Sequence, residues 1–295
     1  MFRNLRLYRL RSPWPDSEEA LSHRLEDASF KPCGSLSEFS HGFEAPEPSL
    51  DSLCRRVAGA DLMRLRSQSR ILPAAAINEA LELRIEEWTA RTGELPSRRD
   101  KRDLKDEVRI DLLPRSLLKS DRTQCLCLPA EELLVVDAAS EKRAEAVLDA
   151  LRDALGSLQV TPLAFKEPIA AFMQSIFLGR SKGDFRIGNE CRMEDPVNSR
   201  STVTWLDMEL SGGDVRRHVQ DGLKLTRLAV DYDGVVSCVL GEDGVLRKFK
   251  LAGVDRLDDM PEEDSLARLD GEIALTAGSI TRLVRALKKA LGGAV

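Results

Sequence analysis

Between Pro73 and Pro114 the apolar residues change their spacing, and that change constrains the fold more than any other feature of the chain. Ile77, Leu81, Ile85 and Trp88 recur every three or four residues, which places them on one face of an α-helix. Gly93 and Pro96 stop this helix. Ser97 with Asp100 three residues on opens the next in the manner of a capping box, and Leu104, Val108 and Leu112 carry a second stripe until Pro114 ends it. Each stripe is narrow, with glutamates and arginines filling the other faces. Residues 73–117 are therefore predicted to form a two-helix hairpin that projects from a body as an arm.

The rest of the chain alternates short β-type runs with single helices. Leu5 and Leu7 flanking Arg6 predict a strand over residues 3–10 with one face buried, and a helix follows Pro13 and Pro15 near Ser17–Ala28. Residues 31–52, with Pro32, Gly34, Gly42, Pro46 and Pro48, read as turns and short strands. Beyond the arm come a strand at Thr123–Leu128, a turn at Pro129, a strand at Leu133–Asp137, and a helix from Ser140 to Leu155 capped by Gly156. Residues 168–224 mix an apolar helix near Ile169–Leu178, glycine turns, a strand around Thr202–Leu206 and a short helix starting at Ser211. Residues 225–251 read as a meander turning at Asp233-Gly234 and at Gly241–Gly244, and a last helix carries Ile280, Leu283, Val284, Leu287 and Leu291. Antiparallel strands with segregated helices indicate the α+β class.

No stretch reaches the roughly 20 apolar residues that a membrane span requires. Met1–Leu10 interrupts its apolar residues with Arg3, Arg6 and Arg9, unlike a secretory signal; an Arg-rich, acid-poor transit peptide is the competing reading of that segment. Six cysteines stand at 33, 54, 125, 127, 191 and 238 without the paired spacings of a zinc site. Cys125 and Cys127 share one face of a strand but lack nearby histidines, so packed thiols in the reducing cytoplasm are expected.

Catalytic constellations are incomplete. Asp231-Tyr232-Asp233-Gly234-Val235 resembles the first motif of haloacid-dehalogenase-type phosphatases, in which two aspartates act as phosphoryl nucleophile and general acid around magnesium, and Asp258 and Asp259 could stand as a later acidic pair. That motif normally opens a doubly wound domain, yet only about 60 residues follow, too few for the parallel crossovers it needs. Asp-Gly between two β-rich runs is instead a strong hairpin signal. His23, His41 and His218 are widely separated, and neither GxxxxGK[ST] nor GxGxxG occurs, so no catalytic residue, metal site or cofactor is expected.

Binding remains. The net charge of −5 argues against a polyanionic partner, but the charge is unevenly placed: Arg3, Arg6, Arg9 and Arg11 open the chain, and Arg282, Arg285, Lys288 and Lys289 close it. Residues 98–122 carry nine cations against six anions. With 5% aromatic residues a base-stacking platform is poorly supplied, whereas contacts to duplex phosphates need only cations and amides.

The chain resembles the bacterial recombination-associated RdgC family. The likeness runs through Phe2-x-Asn4-Leu5 with Tyr8-Arg9-Leu10, Phe30-x-Pro32-Cys33-Gly34-Ser35, Ile71-Leu72-Pro73 with Ile77-Asn78, and Leu104-Lys105-Asp106-Glu107-Val108. It continues through Leu112-Leu113-Pro114-Arg115, Val136-Asp137-x-Ala139-Ser140, Leu155-Gly156-Ser157-Leu158, His218, Gly222-x-Lys224 and Thr226-Arg227-Leu228-Ala229. The resemblance implies a ring-shaped homodimer whose positively lined hole takes double-stranded DNA without marked sequence preference, restraining a RecA-type recombinase, in a cytoplasmic, nucleoid-associated setting. It implies a central body of residues 1–72, 118–165 and 225–295 with two insertions, the arm at 73–117 and a base at 166–224. Clustering and family position make Arg98, Arg99, Arg115, Lys119, Arg122, Lys224 and Arg227 the expected DNA-binding residues, and Leu113, Leu117 and Leu118 the expected dimer contacts. Two departures qualify the likeness. Leu117 stands where an aromatic residue is expected, and Asp207 and Glu209 lie in a strand that often carries basic or amide residues.

Overall fold

The computed structural model describes residues 2–180, 183–198, 200–253 and 265–295. In chain order these give β1 (Leu5–Leu10), α1 (Glu18–Glu26), β2 (Phe39–Glu44), the hairpin β3 (Cys54–Val57) and β4 (Ala60–Ile71), then α2 (Ala74–Thr92) and α3 (Arg98–Leu112). Next are β5 (Leu117–Leu128), β6 (Leu133–Asp137), α4 (Glu141–Leu155), β7 (Val160–Pro162), α5 (Ile169–Phe177), β8 (Phe185–Glu194), β9 (Thr202–Trp205) and α6 (Gly213–Gln220). The meander β10 (Lys224–Tyr232), β11 (Val236–Gly241) and β12 (Leu246–Leu251) precedes α7 (Ser265–Ala290). The architecture is mixed α/β around a large antiparallel sheet, with seven α-helices among the described residues.

Two compact units divide the chain. The first comprises Met1–Asp27, Ala45–Arg64 and Thr123–Val295, and the second comprises Ala28–Glu44 and Leu65–Arg122. In the first unit the strand order is β3-β4-β5-β6-β1-β12-β11-β10-β8-β9, with β7 also pairing β1. Strand alternation sorts the side chains. Leu5, Leu7, Leu133, Val135, Leu228, Val230, Cys238, Leu240 and Phe249 join the main core with Phe172, Met173, Ile176 and Phe177 of α5 and Ile280, Leu283, Val284 and Leu287 of α7. Leu134 and Val136 of β6 alternate with that set, and α4 packs on this strand with Ala144, Val147, Leu148 and Leu151 buried. The second unit is the helical hairpin with β2 and the adjoining parts of β4 and β5. Its helices bury only Ile77, Leu104 and Val108, in keeping with the narrow stripes.

Local signals explain most boundaries. Ser17, Ser97 and Ser140 cap α1, α3 and α4 through their hydroxyls, and the Ser97–Asp100 capping box is complete. The three-residue β10–β11 turn, Asp233–Val235, takes Asp233 and Gly234 with φ of 53° and 65°, left-handed values that Asp and Gly tolerate, and the Val235 amide donates to the Tyr232 carbonyl at 3.0 Å. Other expectations are corrected. The strand expected at Thr123 begins at Leu117, the helix expected at Ser211 begins at Gly213, and the long strands β4 and β8 were not anticipated. β8 pairs along β10 from Lys224↔Glu194 to Tyr232↔Phe185, so residues 185–194 are a strand of the first unit's sheet.

Candidate nucleic-acid interface

The strands β8, β10, β11 and β12 turn one face toward α5 and α7; on the other, Arg186, Ser237, Lys248 and Lys250 are exposed, whereas Ala229, Val239 and Gly241 are buried. Register defines the second face, because residues directly opposite one another point the same way. One cross-strand row reads Arg186, Asp231, Ser237 and Lys250, and its Arg186, Ser237 and Lys250 are exposed. A second row sets Arg192 opposite Arg227, with Gly241 on Arg227's other side. A bulge between Leu225 and Arg227 keeps both Leu225 and Leu228 in the core while Arg227 faces outward.

Ion pairs neutralise part of this face. Arg192 meets Glu194 at 3.1 Å, Lys224 meets Glu242 at 2.6 Å, Arg247 meets Asp243 at 2.5 Å, and Lys248 pairs with Glu190. Arg186, Arg227 and Lys250 make no ion pair among the described residues. Arg192 also keeps its buried Nε without an acceptor. Two guanidinium groups directly opposed across a ladder repel each other, a cost that an anion laid over them removes.

In the second unit Arg98 and Arg99 occupy the exposed first turn of α3, where the helix dipole repels cations, and Arg115 is exposed on the 3₁₀ turn Leu113–Arg115. Arg98 and Arg115 have no ionic partner among the described residues. Asp100 beside them is held below the usual carboxylate range, first by the Ser97 hydroxyl and amide and then by Arg99. Lys119 and Arg122 are engaged, with Asp121 at 3.4 Å and Glu44 at 2.6 Å. Leu117 and Leu118 are 76% and 46% exposed, whereas Leu113 is 4% exposed and sits inside its own unit.

The phosphatase-like aspartates have other partners. Asp231 Oδ1 accepts the Gly234 amide at 2.9 Å, and Asp233 Oδ2 accepts Arg282 at 2.9 Å. Asp258 and Asp259 lie outside the described residues. His23 pairs with Glu26, His41 lies against Phe39, and His218 lies against Trp205. No group of three or more His, Cys, Asp or Glu side chains among the described residues could hold a metal ion. All six cysteines are free and buried. No described helix is long and apolar enough to cross a membrane.

Of the residues expected from sequence, Arg227 and Lys224 lie on the open face and the other five belong to the second unit. Sequence reading missed Arg186, Arg192 and Lys250. The only early signal was Lys248-x-Lys250 at strand spacing, since the other two lie on the unanticipated β8.

Fold and face together define a mixed α/β protein whose antiparallel sheet carries on one face cations without ionic partners among the described residues. The family model described as "Putative exonuclease, RdgC" matches residues 1–294. The chain is 31% identical over 296 residues to the Recombination-associated protein RdgC of Tolumonas auensis, covering 99% of this chain and 98% of that one. It is 32% identical over 296 residues to the protein of that name from Shewanella oneidensis, covering 99% and 97%. The chain belongs to the RdgC family.

Proposed function

We propose that this chain is a non-enzymatic binder of double-stranded DNA with little sequence preference, that it encircles the duplex as a homodimer, and that it restrains a RecA-type recombinase by occupying DNA. The observation that carries the reading is the trio Arg186, Arg227 and Lys250, three cations on one sheet face without ionic partners among the described residues. β8 and β12 lie three strand spacings apart, about 14 Å, close to the roughly 12 Å width of a duplex major groove, so cations at the two edges can meet phosphates on both sides of it. Neither cross-strand row holds an aromatic residue on which a single-stranded base could stack. A homodimer would draw on Leu117 and Leu118, with Leu113 behind them.

The test is duplex affinity measured against salt. Substituting glutamine at Arg186, Arg227 and Lys250 is expected to lower the slope of log K against log salt by about 0.9 for each phosphate no longer neutralised, and to weaken all sequences alike. Weakening confined to particular sequences overturns this reading, as does progressive shortening of linear duplex by the purified protein with magnesium or manganese.

A further inference from the structure

A cleft of about 460 Å³ lies away from the open sheet face, between the paired ends of β8 and β10 and the outer side of α7. Its walls include Phe185 and Tyr232, directly opposed in the sheet with ring centroids 4.9 Å apart, and the small side chains Ala286 and Ala290. Arg282, Arg285 and Lys289 of α7 also line it, three cations on one helix stripe, against one lining carboxylate among the described residues, Asp184.

Two of these cations already meet a carboxylate on one side. Arg285 presents Nε and one terminal nitrogen to Glu131, and the other terminal nitrogen has no partner among the described residues. Arg282 gives one terminal nitrogen to Asp233 at 2.9 Å, and its remaining donors have no partner among the described residues. Lys289 is exposed and has no ionic partner among the described residues. A guanidinium anchored on one edge presents its free donors with little ordering left to lose, which suits a phosphate. An apolar, aromatic wall beside such donors is the composition of a small-molecule pocket, and the volume is within the range such pockets occupy, about 300–1,000 Å³.

We propose that this cleft binds a nucleoside 5′-phosphate, with the base against Tyr232 and Phe185 and the phosphate on Arg282, Arg285 and Lys289. The same chemistry is available from a free nucleotide or from the 5′-phosphorylated terminal nucleotide of a DNA strand.

The test is calorimetric titration of the full chain with 5′-dAMP, deoxyadenosine and inorganic phosphate. Saturable binding of 5′-dAMP is expected, at least tenfold tighter than either fragment. Lys289→Gln, an exposed change that leaves the core untouched, should weaken 5′-dAMP at least fivefold, and Tyr232→Leu should abolish its advantage over phosphate. Equal binding of 5′-dAMP and phosphate overturns the proposal, as does a Lys289→Gln protein that binds 5′-dAMP like wild type. Displacement of 5′-dAMP by a 5′-phosphorylated overhang, but not by its unphosphorylated twin, assigns the site to strand ends; retention in the presence of both assigns it to free nucleotides. Closed circular duplex has no end, and Lys289→Gln should bind it as wild type does. A chain that binds circles but not 5′-dAMP sinks this proposal alone, and the converse sinks only the duplex reading.

Discussion

Asp61 is 0% exposed, and its carboxylate accepts Arg56 Nε at 2.6 Å, Arg56's terminal nitrogen at 2.8 Å and Trp14 Nε1 at 2.7 Å. Arg56 also donates to the Pro15 and Asp16 carbonyls, so one buried carboxylate holds the segment between β1 and α1 against the β3–β4 hairpin. Asp61→Ala strands the guanidinium and the indole N–H together, and a loss of about 3–5 kcal/mol is expected in urea unfolding. A change under about 1 kcal/mol would show that the cluster is dispensable. The thiols make a second residue-level prediction. Burial pushes Cys54 and Cys238 up from 9.0 to about 12, and Cys191 to about 11. The native chain should be inert to a thiol reagent at pH 8 and should expose six reactive groups on unfolding. Because the folded values are raised, the unfolded thiols ionise first. Their contribution to stability is complete below about pH 9 and is lost as pH climbs toward 12, visible as a falling urea midpoint.

At the scale of elements, α2 and α3 hold together through few buried side chains, so the arm should answer sensitively to small changes. Leu104→Ala is expected to cost about 2 kcal/mol and to raise amide exchange through both helices. The capping box adds a pH signature. The folded Asp100 value is depressed, so its contribution is present above the ordinary 3.8 and disappears as pH falls through the lower folded value, raising exchange in the first turn of α3. The same elements show what a sequence discloses. The arm and α4 were legible because a clear period is bounded by Pro, Gly or Ser within a residue or two of the observed ends. β4 was illegible because Arg64, Arg66, Ser67, Gln68, Ser69 and Arg70 hide its alternation, and distant partners hold them: Gln68 takes the Cys33 amide at 2.8 Å, and Arg70 donates to the Leu113 carbonyl at 2.8 Å. β8 was illegible because its glycine and asparagine resemble turn residues. Gly188 is required there for close approach, since a Cβ would stand 2.9 Å from that of Ala229. The candidate interface inherited this blindness. Arg227 and Lys224 could be named from a motif, whereas Arg186 and Lys250 join them only through register.

For the molecule as a whole, the proposed dimer and its effect on recombination can be separated experimentally. Leu117 is exposed in the single chain, so Leu117→Asp should leave folding intact while placing an unpaired carboxylate in any contact made there, a penalty of several kcal/mol, about 3–5, if burial is complete. Light scattering checks the oligomer, and retention on closed circular DNA checks the ring; undiminished retention removes Leu117 from the contact. Inhibition of strand exchange should track DNA occupancy, fading with excess duplex and in the Arg186, Arg227 and Lys250 triple variant. Wild-type inhibition by a variant that no longer binds DNA would replace occupancy with a grip on the recombinase itself. The position of β1 bears on how such a molecule is made. β1 lies between β6 and β12, with Leu5 facing Asp137 on one side and Leu246 on the other, and the Arg3 carbonyl accepting Phe249's amide at 2.9 Å. A ribosome adding about 5–20 residues per second reaches β12 some tens of seconds after β1 has emerged, so one edge of an apolar strand waits that long for its partner. Synthesis rate and chaperone supply, more than final stability, should therefore set how much of this protein a cell recovers in soluble form.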